Sequence, residues 1–223
     1  MANRAYLSLW TSGYSEEVML DRFERLLATV PLSPKRPGFT SLVIRAVSPS
    51  EVPLLEQDFR GVVASAADVT ALMREHRQPD TAYEVEGFWD VWQPDGKPGR
   101  WQRGPERLLL ICNGETYDDG VAADAGHFVA DIGFEHLLTG HAGLLGLHGS
   151  RSAPSDPVEA EFLTLMTREE RLHEYHEKTR ENIQQLFSWV RDVEQALPVE
   201  RYRLWSEGER NLEERLDEIL AVR

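Results

Sequence analysis

GPERLLLICNGETYDDGVAADAGHFVADIGFEHLLTGHAGLLGLHG, residues Gly104 to Gly149, is the stretch on which the reading of the fold turns. Leu108–Cys112 is the most apolar run in it. It is too short for a buried helix and is bounded by turn-forming residues, so it reads as a strand. An acidic, glycine-containing loop follows it. His127–Ile132 reads as the next strand, and a segment with a glycine at every third position closes the stretch. Four of the seven histidines and the only cysteine, Cys112, fall inside it, so any chemistry is expected here.

On the N-terminal side, Tyr83–Gln93 alternates cleanly. Tyr83, Val85, Gly87, Trp89 and Val91 fall on one side, and Glu84, Glu86, Phe88, Asp90 and Trp92 on the other. The turn Pro94-Asp95-Gly96-Lys97-Pro98-Gly99 folds this strand back onto Leu108–Cys112 as a hairpin. Earlier still, Arg4–Thr11 reads as a strand. A helix follows Ser15, with Met19, Phe23, Leu26, Leu27 and Val30 at helical spacing. Pro31, Pro34 and Pro37 end it, and Phe39–Val47 is the second strand. Within Ser48–Ala64, Pro49 and Pro53 forbid a central strand, and an edge strand is expected near Phe59–Ala64. Ser65 with Asp68 forms a capping box for a helix ending near Arg77.

The last third reads as helical. Asp156-Pro157 opens one helix and Thr167 with Glu170 caps another, which nothing breaks from Arg168 to Leu197. At 1.5 Å rise its roughly 30 residues span about 45 Å. Such a helix either lies across the whole sheet or overhangs and meets another chain. Pro198 stops it, and Ser206 with Glu209 caps a final helix. The expected fold class is α+β. It is a ferredoxin-like α/β sandwich with a mostly antiparallel sheet, a hairpin extension and a long C-terminal helical segment. Residues 1–150 form the sheet domain and residues 151–223 the helices packed on it.

The chain carries a net charge of −14, unevenly placed: residues 104–150 hold one basic side chain against seven acidic ones. Such a field repels phosphate backbones, so nucleic acid is not an expected partner. It suits a basic protein partner, a bound cation or simple solubility. The start, MANRAYLSLW, has no apolar leader run, and no stretch approaches the ~20 apolar residues of a membrane helix. The expected location is cytoplasmic and no membrane contact is expected.

Within Glu115–His127 and just beyond, Asp118, Asp119, Asp124, His127 and Asp131 are the candidate ligands of a divalent metal. Carboxylates and imidazoles brought together are what such ions need. The competing reading is a solvated acidic turn, because Asp and Gly are also the ordinary turn residues. The segment Gly140–Gly149 lacks the lysine and the spacing of a phosphate loop. His173 and His176 stand three apart on the long helix with no third ligand nearby. Trp89, Trp92 and Trp101 gather at the hairpin as a candidate binding surface, unless the long helix covers them. Cys112 sits inside a strand, a poor place for a nucleophile. The expected function is a non-catalytic protein-binding or regulatory module. Its partner would be a second copy joined through the long helix, or a basic protein. The alternative is a small-molecule or divalent-metal-dependent enzyme with its site in residues 115–136.

Overall fold

The computed structural model describes residues 3–95, 100–140, 157–209 and 211–221, without the side chains of Val158 and Glu159. The glycine-rich segment beyond Gly140, the tip of the hairpin turn and the Asp156 cap lie outside these residues. In chain order the elements are β1 (Arg4–Thr11), α1 (Glu16–Thr29), β2 (Ser41–Ala46), β3 (Leu55–Asp58), α2 (Ala66–Arg74), β4 (Thr81–Pro94) and β5 (Trp101–Asn113). A short 3-10 turn (Tyr117–Gly120), α3 (Ala122–Ala125), β6 (Phe128–Phe134) and α4 (His136–Thr139) come next. They are followed by α5 (Pro157–Met166), α6 (Glu169–Ala196), β7 (Val199–Ser206) and α7 (Leu212–Ala221).

The seven strands form one antiparallel sheet in the order β3-β2-β4-β5-β6-β1-β7. The fold is therefore α+β with an open antiparallel sheet and a long helix. The β4–β5 hairpin is its spine, in register from Ala82 opposite Asn113 to Pro94 opposite Trp101. Because β3 and β4 both run antiparallel to β2, they are parallel to each other, with α2 joining them. In the same way β6 and β7 flank β1, and the helices after β6 join them. The β-α-β-β-α-β order is present, yet β5 and β6 stand between β1 and β4. The first six elements therefore do not close a compact four-stranded sandwich of their own.

All the helices that enter the core cover one face of the sheet. Leu7, Leu9, Leu42, Ile44, Tyr83, Val85, Leu108, Leu110, Phe128 and Ala130 point into a single apolar cluster with Phe23 and Leu27 of α1, Ile183, Leu186 and Val193 of α6, and Leu212 and Leu216 of α7. Burying such side chains is worth about 1.5–3 kcal/mol each before chain entropy is charged. Asn182 fixes where α6 crosses the sheet. Its Oδ1 accepts the Trp92 N–H at 2.8 Å, and its Nδ2 donates to the carbonyls of Trp92 and Leu137, both at 2.9 Å.

Several local expectations need correction. The edge strand is Leu55–Asp58, not Phe59–Ala64, which turns at Gly61 (φ +82°). The segment after Pro198 is not all helix. β7 pairs along β1 from Ala5 opposite Ser206 to Thr11 opposite Val199. The C-terminal third thus supplies an edge strand as well as helices. The Ser65–Asp68 capping box forms, with the Ser65 side chain accepting from the Asp68 N–H. Thr167 does not cap α6: its hydroxyl donates to the Thr164 carbonyl at 2.7 Å. Ser15 sits at the N-cap of α1, but its hydroxyl donates to Glu17.

Candidate interaction site at the sheet edge

β2 ends at Ala46, and the chain leaves the sheet through Val47, whose φ is +70°. A left-handed conformation is strained for a β-branched residue. Backbone hydrogen bonds hold it from both sides: the Val47 N–H donates to the Asp80 carbonyl, and the Val47 carbonyl accepts the Asp118 N–H, each at 2.8 Å. Pro49 and Pro53 keep the next residues out of any ladder, and the chain returns as β3, which among the described residues pairs only with β2. Phe59 still donates to the Thr40 carbonyl, and Ala64 forms a bridge with Phe39, so residues 59–64 stay beside the same edge.

This edge concentrates exposed apolar surface. Val47, Val52, Leu54, Val62 and Val63 are 58, 83, 53, 65 and 65% exposed, and among the described residues they are the large aliphatics that stand most open to solvent. They flank the unpaired edge of β3 at both of its ends. Scattered exposed aliphatics are ordinary, but a cluster marks a contact surface.

The acidic loop lies at the start of β4 and meets this segment at Val47. Gly114 donates to the Thr81 carbonyl and Thr116 to the Pro79 carbonyl. No side chain fits at Gly114, since a Cβ there would stand 2.3 Å from the Pro79 carbonyl oxygen. Asp118 and Asp119 follow, both left-handed (φ +48° and +55°) and both exposed, and the Asp118 N–H is the one that meets the Val47 carbonyl. Tyr117 and Ala122 are buried beneath the loop, and the Trp10 indole donates to the Ala123 carbonyl.

The five candidate metal ligands fall in three different settings. Asp118 and Asp119 share the 3-10 turn, and Asp124 is exposed on α3. His127 faces away from them. Its ring stacks on Tyr14 at 3.9 Å, and its Nδ1 accepts the Thr11 N–H at 3.0 Å. Burial, with Arg22 and Arg201 nearby, pushes the His127 imidazole down to about 4, so it is neutral at physiological pH. Asp131 is buried and paired with the Arg4 Nε at 2.5 Å. Among the described residues, no three His, Cys, Asp or Glu side chains are gathered as a metal-binding group.

The tryptophans belong to α6. Trp89 is fully buried against Trp189, their rings 6.0 Å apart. Trp92 lies under the Lys178 ammonium (3.9 Å) and donates to Glu181, and Trp101 packs on Tyr175 at 5.2 Å. The stripe Tyr175, Ile183, Leu186, Val190 and Val193 is likewise buried inside the chain, so α6 lies across the sheet and its stripe is not left for another copy. His173 is exposed and His176 half-buried on the same helix. Cys112 is fully buried with its thiol pushed up to about 12 by burial, which makes it inert.

Sequence reasoning found the acidic loop but missed its neighbour, because Leu54, Leu55, Phe59, Val62 and Val63 read as residues that want burial and Val47 as the end of the second strand. The signal that could have found it was the pair Pro49 and Pro53, which deny that segment a place inside a sheet. Among the described residues no helix is long and apolar enough to cross a membrane. Searches against protein-family models, curated proteins and solved structures find no match to this chain.

Proposed function

We propose that the protein is a non-catalytic binding module that takes up an extended, basic segment of another protein along the β3 edge. The observation that carries this reading is the clustering of exposed aliphatics around an unpaired strand edge. An extended segment added there would gain main-chain hydrogen bonds from the edge and apolar contacts from its flanks. Glu51, Glu56, Asp118 and Asp119 are exposed in this region, while Asp58 is paired with Arg60 at 2.9 Å, so the remaining carboxylates favour lysine and arginine in the guest. The net charge of −14 acts in the same direction at longer range. We also read the two split β-α-β units, β3-α2-β4 around β2 and β6-α6-β7 around β1, as an enlarged ferredoxin-like arrangement.

Fluorescence anisotropy tests the binding reading with two labelled peptides, one alternating valine with lysine and one alternating valine with glutamate. The lysine peptide is expected to bind, to weaken with added salt and to be lost on Leu54→Asp. Equal binding of both peptides, or lysine-peptide binding that survives Leu54→Asp, refutes it.

A further inference from the structure

The β3 edge offers a guest less backbone than its length allows. Register sets Ile44 opposite Leu55, Val43 opposite Glu56, Leu42 opposite Gln57 and Ser41 opposite Asp58. The Phe59 N–H reaches the Thr40 carbonyl at 3.0 Å in the same register, so this pair and every second one from it are the hydrogen-bonded pairs. Leu55 and Gln57 therefore turn their main-chain groups towards β2, and Glu56 and Asp58 turn theirs out to the free side. The chain itself closes both ends of that side. The Leu54 N–H turns inward to the Ile44 carbonyl at 2.7 Å, and the Gln57 side-chain amide donates to the Asp58 carbonyl at 2.8 Å. Among the described residues of β3, the outward groups left open are the N–H and C=O of Glu56 and the N–H of Asp58.

The side chains along the edge differ in the same way. Glu56 lies in the outer-face row of Val43 and Glu84. Glu84 is paired with Arg45 at 3.4 Å, whereas Glu56 is exposed and has no ion-pair partner among the described residues. Two residues on, the Asp58 carboxylate is held by the Arg60 N–H at 2.8 Å and the Arg60 Nε at 2.9 Å. Two residues back stands Leu54, 53% exposed. Along the edge a guest thus meets an aliphatic, then a lone carboxylate, then a neutralised one.

Resting on the edge-binding reading, we propose that the guest is an antiparallel strand with one basic residue held opposite Glu56 and an aliphatic residue two places later, opposite Leu54. Glu56 gives the basic residue both main-chain bonds of one narrow pair and sets its side chain beside the carboxylate on the outer face. A parallel guest would divide those bonds between two residues in the slanted, slightly weaker pattern. A lysine opposite Glu56 gains a cross-strand charge pair, whereas one opposite Asp58 meets Arg60. Gln57 sets the register: by filling the Asp58 carbonyl it leaves Glu56 as the place where a guest residue makes two bonds, so a slip of two residues is not tolerated.

Fluorescence anisotropy tests this with a nine-residue peptide that has a central lysine, valine at the other odd places and threonine at the even ones. Methylation of the lysine main-chain nitrogen removes the donor to the Glu56 carbonyl and should weaken binding about tenfold, while methylation of either neighbouring threonine should cost less than about twofold. Glu56→Lys should reverse the preference, so that a central glutamate binds about fivefold better than a central lysine. Gln57→Val uncovers the Asp58 carbonyl and should tighten the lysine peptide about threefold. Equal losses from all three methylations, a lysine preference that survives Glu56→Lys, or no gain on Gln57→Val overturns the register. If binding is still lost on Leu54→Asp in those cases, the edge-binding reading stands without it. No binding of this peptide or of the alternating valine–lysine one to the wild type overturns both.

Discussion

Val47→Asn is expected to make the protein more stable and a poorer binder. Val47 holds a φ of +70° while its side chain is 58% exposed. A left-handed backbone costs an ordinary L-residue roughly 1–2 kcal/mol, and asparagine bears it far more easily. Less than half of the valine side chain is shielded, so removing it forfeits only about 0.7 kcal/mol of burial. Both backbone hydrogen bonds, to the Asp80 carbonyl and from the Asp118 N–H, survive the change. The net expectation is a gain of about 0.5–1 kcal/mol in urea unfolding, read from the midpoint at constant slope. Val52→Asn, at 83% exposure and without the strained backbone, is the control and should move stability by less than about 0.5 kcal/mol. Both variants should weaken the lysine–valine peptide, since each removes one aliphatic from the patch. A loss of more than about 1 kcal/mol for Val47→Asn would mean that the strain argument fails, because left-handed strain predicts relief.

Other expectations rest on separate parts of the molecule. Asn182→Leu leaves the Trp92 N–H and the Trp92 and Leu137 carbonyls without their partner, and should cost about 3 kcal/mol in chemical denaturation; a loss under 1 kcal/mol would show that α6 is held otherwise. Gly114→Ala drives a Cβ to 2.3 Å from the Pro79 carbonyl and should lower the thermal midpoint sharply, whereas Gly61→Ala has open space and bears only the strain of φ +82°. The neutral His127, held down at about 4, gives stability that is fully present above its unfolded value near 6.5 and is lost as pH falls from there towards 4. Wild type should therefore lose up to about 2 kcal/mol more than His127→Asn between pH 7 and pH 4.5, a figure reduced for partial solvent access; equal losses would contradict it. Cys112 should resist thiol reagents until the chain unfolds.

Much of the sheet was legible because its strands obey simple alternation. Tyr83 to Val91 and Leu108 to Cys112 read as a hairpin from pattern alone, and β1, β2 and β6 from their apolar runs. β7 was not. Arg201, Tyr202, Arg203 and Leu204 do alternate, but Pro198 and Ser206 frame the segment as the gap between two helices. Its pairing with β1, some two hundred residues away, is a tertiary choice that local propensity does not carry. The long helix was legible in length and stripe, but whether the stripe met its own sheet or another chain depended on Asn182 and its two backbone partners. The acidic loop was legible as composition alone. Its carboxylates fan out because Asp118 and Asp119 take left-handed turns while Asp131 is drawn to Arg4 and His127 to Tyr14. The aliphatic edge went unread for a different reason: a pattern shows which side chains favour burial, not which ones the fold leaves open.

Amide hydrogen exchange, followed with and without a saturating alternating valine–lysine peptide, tests the edge-binding account most directly. Slowed exchange confined to residues 47–64, with β7, α6 and α7 unchanged, is the predicted result. Protection that falls instead along β7 or on those helices, or no protection anywhere, contradicts it.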